Sequence, residues 1–361
     1  MKVLFITEEF HPYPGGVATY VHSAAETARN MGHDVTVCVV GTRSGLLENL
    51  DDYKYSIFYL SKKHYKKSHI PLLSYKLRKY LQNNSFDKMI FSDYKSLILS
   101  LLLPKKIKFN TIIHGTEVRG RFLILLSKVF IRPLSRCDNI FANSQFTRAS
   151  ALECHSYLNS DRVKVNYLGP PLKSNIYKLA STKIKTSPET ELTMCSLGRI
   201  EKRKGIHVFL QVLSKLNTEI KLTYNVIGRV VDEEYYDEIK EMTYLLPDNV
   251  TVNFCGALSA RSLNKVLNDG DFMVHTSIPC PVECEGFGLV LLEFAALGKA
   301  VLATNTDAIP EVVRDGETGF LCSWDDIEGM KGKLELLIND KEQRFRMGEQ
   351  AFKNLSRFSW D

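Results

Sequence analysis

A chain of 361 residues is too long for one average domain and suits two of roughly 150–200 residues each. Its 44% hydrophobic and 24% charged residues exclude a disordered chain and a membrane bundle, and no stretch reaches the about 18 uncharged apolar residues of a spanning helix. The net charge of +6 is split unevenly: residues 1–170 carry 24 Lys/Arg against 13 Asp/Glu, and residues 171–361 carry 23 against 28, so the two halves should meet different partners.

In chain order, short β-branched runs alternate with amphipathic segments, which is the pattern of helices layered on parallel strands. Strands are expected at Lys2–Thr7, Asp34–Val39, Tyr55–Leu60, Lys88–Phe91, Asn110–His114, Asn139–Ala142 and Val163–Tyr167. Helices are expected between them at Val17–Met31, Leu72–Gln82, Tyr94–Leu103, Phe122–Leu134 and Gln145–His155. The first residues enter a strand directly, without the apolar region and cleavage site of a signal peptide, so a cytoplasmic location is expected. Periodicity lapses from Gly169-Pro170-Pro171 to Ser187-Pro188, where Pro, Ser, Lys and Thr make a linker. It restarts with strands at Leu192–Leu197, Leu222–Ile227, Val250–Cys255, Phe272–His275 and Ala300–Ala303. The helices of this half are Ile206–Leu216, Glu233–Leu245, Ala260–Leu267, Leu289–Ala296 and Ile327–Leu337. The reading is therefore an α/β protein of two Rossmann-like, doubly wound parallel-sheet domains facing each other across a cleft. The first spans 1–170, a linker 171–190, the second 191–345, and a segment 346–361 is expected to turn back towards the first domain. In such sheets ligands bind beyond the carboxyl ends of the strands, so the loops after strands carry the search for chemistry.

Three such loops stand out. His11-Pro12-Tyr13-Pro14-Gly15-Gly16-Val17 follows the first strand, and its glycine pair lets backbone amides approach a ligand at a helix N-terminus. It is not GxGxxG, and no acidic residue closes the second strand, which disfavours a dinucleotide site. The run Gly198-Arg199-Ile200-Glu201-Lys202-Arg203-Lys204-Gly205 joins a strand to a helix. Arg199 and Lys204 there can face one anion, and fixed cations beside a diphosphate stabilise the charge that develops as it leaves. The third is Glu285-Gly286-Phe287-Gly288-Leu289 through Glu293, a bare turn ahead of an apolar helix with a carboxylate inside it. A carboxylate among Leu, Val, Phe and Ala is paired or bound to something polar, and a ribose diol would serve. The eight cysteines are scattered, and Cys280 and Cys284 lack the second pair that a zinc site needs, so they read as reduced thiols. The basic run Lys62, Lys63, Lys66 and Lys67, followed by Lys76, Arg78 and Lys79, suits an anionic membrane surface or a phosphorylated acceptor, or is simply a solvated face. It lacks the aromatic stacking pattern of a single-strand nucleic-acid binder.

The ordered set Gly15-Gly16-Val17, His114-Gly115, Gly198-Arg199 with Lys204-Gly205, and Glu285-Gly286-Phe287-Gly288 through Glu293 resembles family 4 of the retaining glycosyltransferases, whose architecture is called GT-B. The likeness continues through Ile309-Pro310-Glu311, Asp315–Leu321 and Phe358-Ser359-Trp360, so it spans nearly the whole chain. The resemblance implies that Arg199 and Lys204 bind the donor diphosphate and that the backbone at Gly15 and Gly16 closes on it. It implies that Glu293 holds the nucleotide ribose, and that Glu285 with the amides around Gly286, Phe287, Gly288 and Leu289 fixes the transferred sugar and the phosphate. His114 would meet the sugar or assist at the reaction centre. The implied partners are a nucleotide-sugar donor and a glycan or lipid-linked acceptor, in surface polysaccharide synthesis. No Asp-x-Asp pair is read as a metal chelator, so the transfer is expected to need no metal and no other cofactor. Where the family carries a glycine pair before Ile309-Pro310-Glu311, this chain has Asp307-Ala308, and Tyr167-Leu168-Gly169-Pro170-Pro171 also departs from the pattern. A nucleotide-sugar epimerase of the same architecture, or a silent nucleotide-sugar or glycan-binding partner, are the alternative readings.

Overall fold

The computed structural model describes residues 1–11, 13, 15–41, 53–115, 117, 127–155, 157–171 and 190–360. Two compact units form. The first comprises Met1–Leu172, Pro281–Phe287 and Ser359–Asp361, and the second Lys173–Cys280 and Gly288–Phe358.

In the first unit the strands are β1 (Lys2–Thr7), β2 (Asp34–Val39), β3 (Ser56–Tyr59), β4 (Lys88–Phe91), β5 (Asn110–Ile113), β6 (Ile140–Ala142) and β7 (Val163–Val165). The helices are α1 (Gly16–Asn30), α2 (Ile70–Asn83), α3 (Tyr94–Ile98), α4 (Ser127–Arg136) and α5 (Gln145–Cys154). The sheet order is β3-β2-β1-β4-β5-β6-β7 with every pairing parallel, in registers such as Val3↔Val35 and Val3↔Lys88. Strand β1 is buried at every residue after Lys2, because a central parallel strand is covered on both faces. Phe91 and Phe109 meet edge to face at 5.1 Å inside this core. The expected helix Tyr94–Leu103 is α3 followed by a tighter turn at Leu99–Leu102, with Asp93 capping α3 through Ser96 N–H.

The second unit contains β8 (Glu191–Leu197), β9 (Lys221–Ile227), β10 (Val250–Gly256), β11 (Phe272–His275), β12 (Ala300–Thr304) and β13 (Gly319–Cys322). Its helices are α6 (Ile206–Ser214), α7 (Glu233–Met242), α8 (Ala260–Asp269), α9 (Leu289–Ala296), α10 (Ile309–Val312), α11 (Ile327–Asn339) and α12 (Lys341–Asn354). The order is β10-β9-β8-β11-β12-β13, again parallel throughout. Tyr224 is buried whole, edge to face with Phe209 at 4.9 Å, and its hydroxyl meets Ser196 Oγ at 2.9 Å. Each such aromatic contributes about 1.5–3 kcal/mol of burial.

Three elements go beyond the sequence expectation: the four-residue helix α10, β13 and α12. Strand β13 is four residues long and follows a Gly316 turn, too short for alternation to show. Helix α12 is highly charged and buries only Met347, Gly348 and Ala351. Its Gly348 fits because a Cβ there would stand 1.9 Å from the Gly298 carbonyl oxygen. Helix α12 packs on β12, β13, α9 and α11, so residues 346–358 stay with the second unit and Ser359–Asp361 group with the first. Of the expected linker 171–190, residues 172–189 lie outside the described residues, as do Phe122–Leu126 of the expected helix Phe122–Leu134.

Candidate functional site

Each sheet order reverses once. The chain builds outward from β8 to β9 and β10, then returns to β11 on the other side of β8, so the order reverses at β8, the kind of point at which open parallel sheets bind ligands. The predicted cationic run occupies this point. Gly198 follows β8, and Gly205 ends the run in the left-handed region at φ 62°, where it caps α6. The two loops are joined by Ile278 N–H donating to Arg203 O at 2.9 Å and by Thr276 Oγ donating to Gly205 O at 2.9 Å. A Cβ on Gly205 would lie 1.9 Å from Thr276 O, so no side chain is admitted.

Gly198 serves a different purpose. A Cβ there would have Lys204 Cε at 3.4 Å and Nζ at 3.9 Å as its neighbours. The lysine ammonium thus lies over the bare face of Gly198. Arg199 pairs with Glu201 at 3.0 Å and keeps its side chain 41% exposed, whereas Arg203 pairs with the same carboxylate oxygen at 3.1 Å and is 10% exposed. Arg203 is therefore a structural counter-ion that holds Glu201, and Glu201 in turn aims Arg199. Sequence reading named Arg199 and Lys204 and missed Glu201, whose signal was its place between two arginines. Two cations thus stand at the carboxyl end of β8, one of them solvent-accessible, with the amino end of α6 behind them, an arrangement of charge and dipole that favours an anion.

Helix α9 starts at Gly288 (φ 83°), and Leu289 opens its first turn. Glu293 is buried in it beside Leu292 and Phe294, a carboxylate inside an apolar helix as the sequence indicated. After β12, Asp307 takes φ 53° where the family pattern has glycine. Aspartate tolerates that region better than most residues, so the loop keeps its backbone without a glycine. Beside it the buried Thr306 hydroxyl has no hydrogen-bond partner among the described residues.

One Asp-x-Asp triplet does occur, Asp269-Gly270-Asp271, and the sequence reading passed over it. Asp271 accepts from Thr193 N–H at 2.8 Å and donates its own N–H to Thr193 O at 2.7 Å. This pins the amino end of β11 to β8, the end of the sheet away from the loops just described.

In the first unit the reversal lies between β1 and β4. Asp93 ties the two strand ends together: its Oδ2 accepts from Glu8 N–H at 2.6 Å and from Thr7 Oγ at 3.0 Å. Buried Glu8 pairs with Lys95 at 3.1 Å. Sequence reading missed this cluster, whose signal was polar residues directly after two apolar strands. Gly15 and Gly16 stand at the start of α1, with Gly15 as its N-cap residue in extended conformation. A Cβ on Gly15 would meet Glu9 Oε2 at 3.2 Å and Tyr13 Cε1 at 3.3 Å.

His114 follows β5. Its Nε2 lies 3.0 Å from Ser92 O, and a carbonyl can only accept, so Nε2 carries the proton. Its backbone N–H donates to Glu117 Oε2 at 3.0 Å, and burial pushes the Glu117 carboxyl above its usual range. The segment Pro281–Phe287 packs in this same unit. Gly286 O accepts from Ser144 Oγ at 2.6 Å and from Thr147 Oγ at 3.2 Å, and a Cβ on Gly286 would fall 1.7 Å from His114 O. Phe287 stacks on Tyr167 at 6.0 Å. The structure therefore brings Glu285, Gly286 and Phe287 together with His114 in the first unit, although sequence reading placed them in the second domain. Arg199, Lys204, Gly288, Leu289 and Glu293 belong to the second unit.

Residues 178–354 match the family described as glycosyl transferases group 1, and residues 14–172 match glycosyltransferase family 4. The phosphatidyl-myo-inositol mannosyltransferase of Mycolicibacterium smegmatis is 26% identical over 371 aligned positions, covering 100% of this chain and 90% of that protein. The N-acetyl-alpha-D-glucosaminyl L-malate synthase of Bacillus anthracis is 28% identical over 260 positions, covering 69% of this chain and 63% of that protein. The crystal structure of Anabaena Alr3699/HepE in complex with UDP superposes with a TM-score of 0.77 at 20% identity, covering 99% of this chain and 95% of that one. With both halves matched in order and both sheets in place, the chain belongs to glycosyltransferase family 4 and has the GT-B fold.

Proposed function

We propose that this protein transfers a sugar from a UDP-sugar to a glycan or lipid-linked acceptor with retention of anomeric configuration, without a metal ion, in the synthesis of a bacterial surface polysaccharide. The observation that carries the reading is Lys204 Nζ lying over bare Gly198, with exposed Arg199 held by Glu201 at the carboxyl end of β8. UDP in the Anabaena structure supports the choice of donor, and the mannosyl transfer named for the Mycolicibacterium relative supports the reaction type. Arg199 and Lys204 bind the diphosphate and take up the charge that grows on it. Glu293 accepts hydrogen bonds from the ribose hydroxyls. Glu285 and the backbone from Gly286 to Leu289 orient the sugar, His114 meets it near the reacting carbon, and the amides at Gly16 close on the phosphates. The bond from the anomeric carbon to the phosphate oxygen breaks, the acceptor oxygen bonds to the same face, and its proton passes to the departing phosphate.

The acceptor side is the first unit, at the cytoplasmic face of the membrane. Residues 53–86 hold eight Lys/Arg and no Asp or Glu. Leu72 and Tyr75 are exposed on α2, and Leu102 is exposed on the turn that packs against it. A basic face with protruding apolar side chains suits an anionic bilayer. No helix among the described residues is long and apolar enough to cross one.

Thermal shift against UDP, GDP, ADP and TDP and their sugars, with and without chelator, tests the donor site. Ligand at about 100 times its dissociation constant should stabilise the fold by about 2.7 kcal/mol. The reading expects a UDP response that survives chelation and disappears in Arg199→Ala. That variant should also lose about 2.7–4 kcal/mol of barrier lowering in donor turnover, the cost of one preorganised donor to a developing anion. A turnover rate within about twofold of wild type would sink the assignment.

A further inference from the structure

We infer that Trp360 is a positioning residue for His114, acting through Tyr20. The inference rests on the proposed role of His114 at the reaction centre. Trp360 is held in the first unit by its indole Nε1–H, which donates to Pro170 O at 2.7 Å. Its ring lies flat over Gly169: a Cβ at that position would stand 2.4 Å from Cδ1 and 2.5 Å from Nε1. This explains the glycine at 169, since any side chain there would displace the indole.

The indole also meets Tyr20, buried in α1, with ring centroids 6.0 Å apart and planes tilted by 38°. Tyr20 in turn meets the His114 ring edge to face, at 5.2 Å and 66°. Such aromatic contacts add to area burial and depend on ring angle. The imidazole is therefore set by two constraints, the Nε2–H bond to Ser92 O at 3.0 Å and the face of Tyr20. The first fixes the tautomer, with Nε2 protonated and Nδ1 the acceptor in the neutral ring. The second fixes the tilt about that hydrogen bond. Trp360 lies against Tyr20 and helps to hold that ring in place. A buried ring that loses its backing rotates, and a small misplacement of a reacting group costs up to about a hundredfold in rate.

The test uses the full chain with histidine labelled at Cε1, in a Trp324→Phe background that leaves Trp360 as the single tryptophan. Trp360→Ala removes the ring, Gly169→Ala displaces it without touching it, and Trp360→Phe restores a ring over Gly169. His114 is assigned by the resonance missing in His114→Gln. Gly169→Ala should shift tryptophan emission to the red. Both Gly169→Ala and Trp360→Ala should move the His114 Hε1 resonance, leaving the other histidine signals in place as the check on folding. Trp360→Phe should return His114 most of the way. Hydrolysis of UDP-glucose should fall about tenfold or more in Trp360→Ala. In the His114→Gln background the same substitution should cost nothing further, whereas independent losses would multiply. An unmoved His114 resonance with a red-shifted indole, or no emission change in Gly169→Ala, overturns the inference. A moved resonance with His114→Gln at the wild-type hydrolysis rate leaves the contact standing and removes His114 from the reaction centre instead.

Discussion

Gly205→Ala isolates what the cationic loop owes to its backbone. Gly205 has φ 62°, and alanine in the left-handed region costs roughly 1–2 kcal/mol. The new Cβ would lie 1.9 Å from Thr276 O, well inside van der Waals contact, so one loop must move by more than an ångström. That movement breaks the bonds from Ile278 N–H to Arg203 O and from Thr276 Oγ to Gly205 O, at about 0.5–1.5 kcal/mol each. The total is about 2–5 kcal/mol, a large share of the about 5–15 kcal/mol that holds a typical protein folded. For a unit of this size it corresponds to a melting point lower by about 4–20 °C. Gly198→Ala is the control. It has no left-handed backbone, and the three atoms nearest its Cβ all belong to Lys204, the first being Cε at 3.4 Å. It should melt within about 2 °C of wild type yet lose the UDP-induced shift, because the methyl group fills the space beside the ammonium. Differential scanning fluorimetry of both variants, with and without UDP, reads each expectation. Gly205→Ala melting at the wild-type temperature, or both variants melting equally low, would refute the division of labour between the two glycines.

Two further outcomes follow from the same geometry. Gly286→Ala puts a Cβ 1.7 Å from His114 O and so dislodges the Gly286 carbonyl from Ser144 and Thr147. It should cost about 1–3 kcal/mol in denaturant unfolding and most of the turnover, and unchanged stability would contradict the docking of this segment. His22, His155 and His207 are all held below the usual histidine pKa, mainly by burial. The folded chain then binds fewer protons than the unfolded one as pH falls through 6.5, so stability present above that pH is lost below it, by up to about 1.4 kcal/mol per pH unit for each histidine. His155, buried with neither ring nitrogen partnered among the described residues, should contribute to this fall, and His155→Phe should flatten the decline between pH 7.5 and 5.5 in urea titrations. An unchanged slope would remove His155 from the account.

The sequence by itself determined the kind of layers and the places where chemistry could sit. Strand and helix periods are local, so β1, β4, β8 and β11 were legible from a few residues each, and the glycine and charged runs after them marked the strand-end loops. Four-residue β13 and charged α12 were not legible, because one is shorter than its own pattern and the other has only a narrow apolar stripe. Tertiary structure decided which loops share a neighbourhood. Sheet order, which no local pattern encodes, sends Asp269-Gly270-Asp271 to the amino end of β11 and Arg199 to the carboxyl end of β8. Close backbone approach, possible only at glycine, brings Gly286 to Ser144 across 142 residues of sequence and seats Trp360 on Gly169. Ion-pair roles were decided at the same level: Arg199, Arg203 and Lys204 read alike in the sequence. Burial of Arg203 against Glu201 is what separates it from Arg199, which shares the same carboxylate and stays exposed.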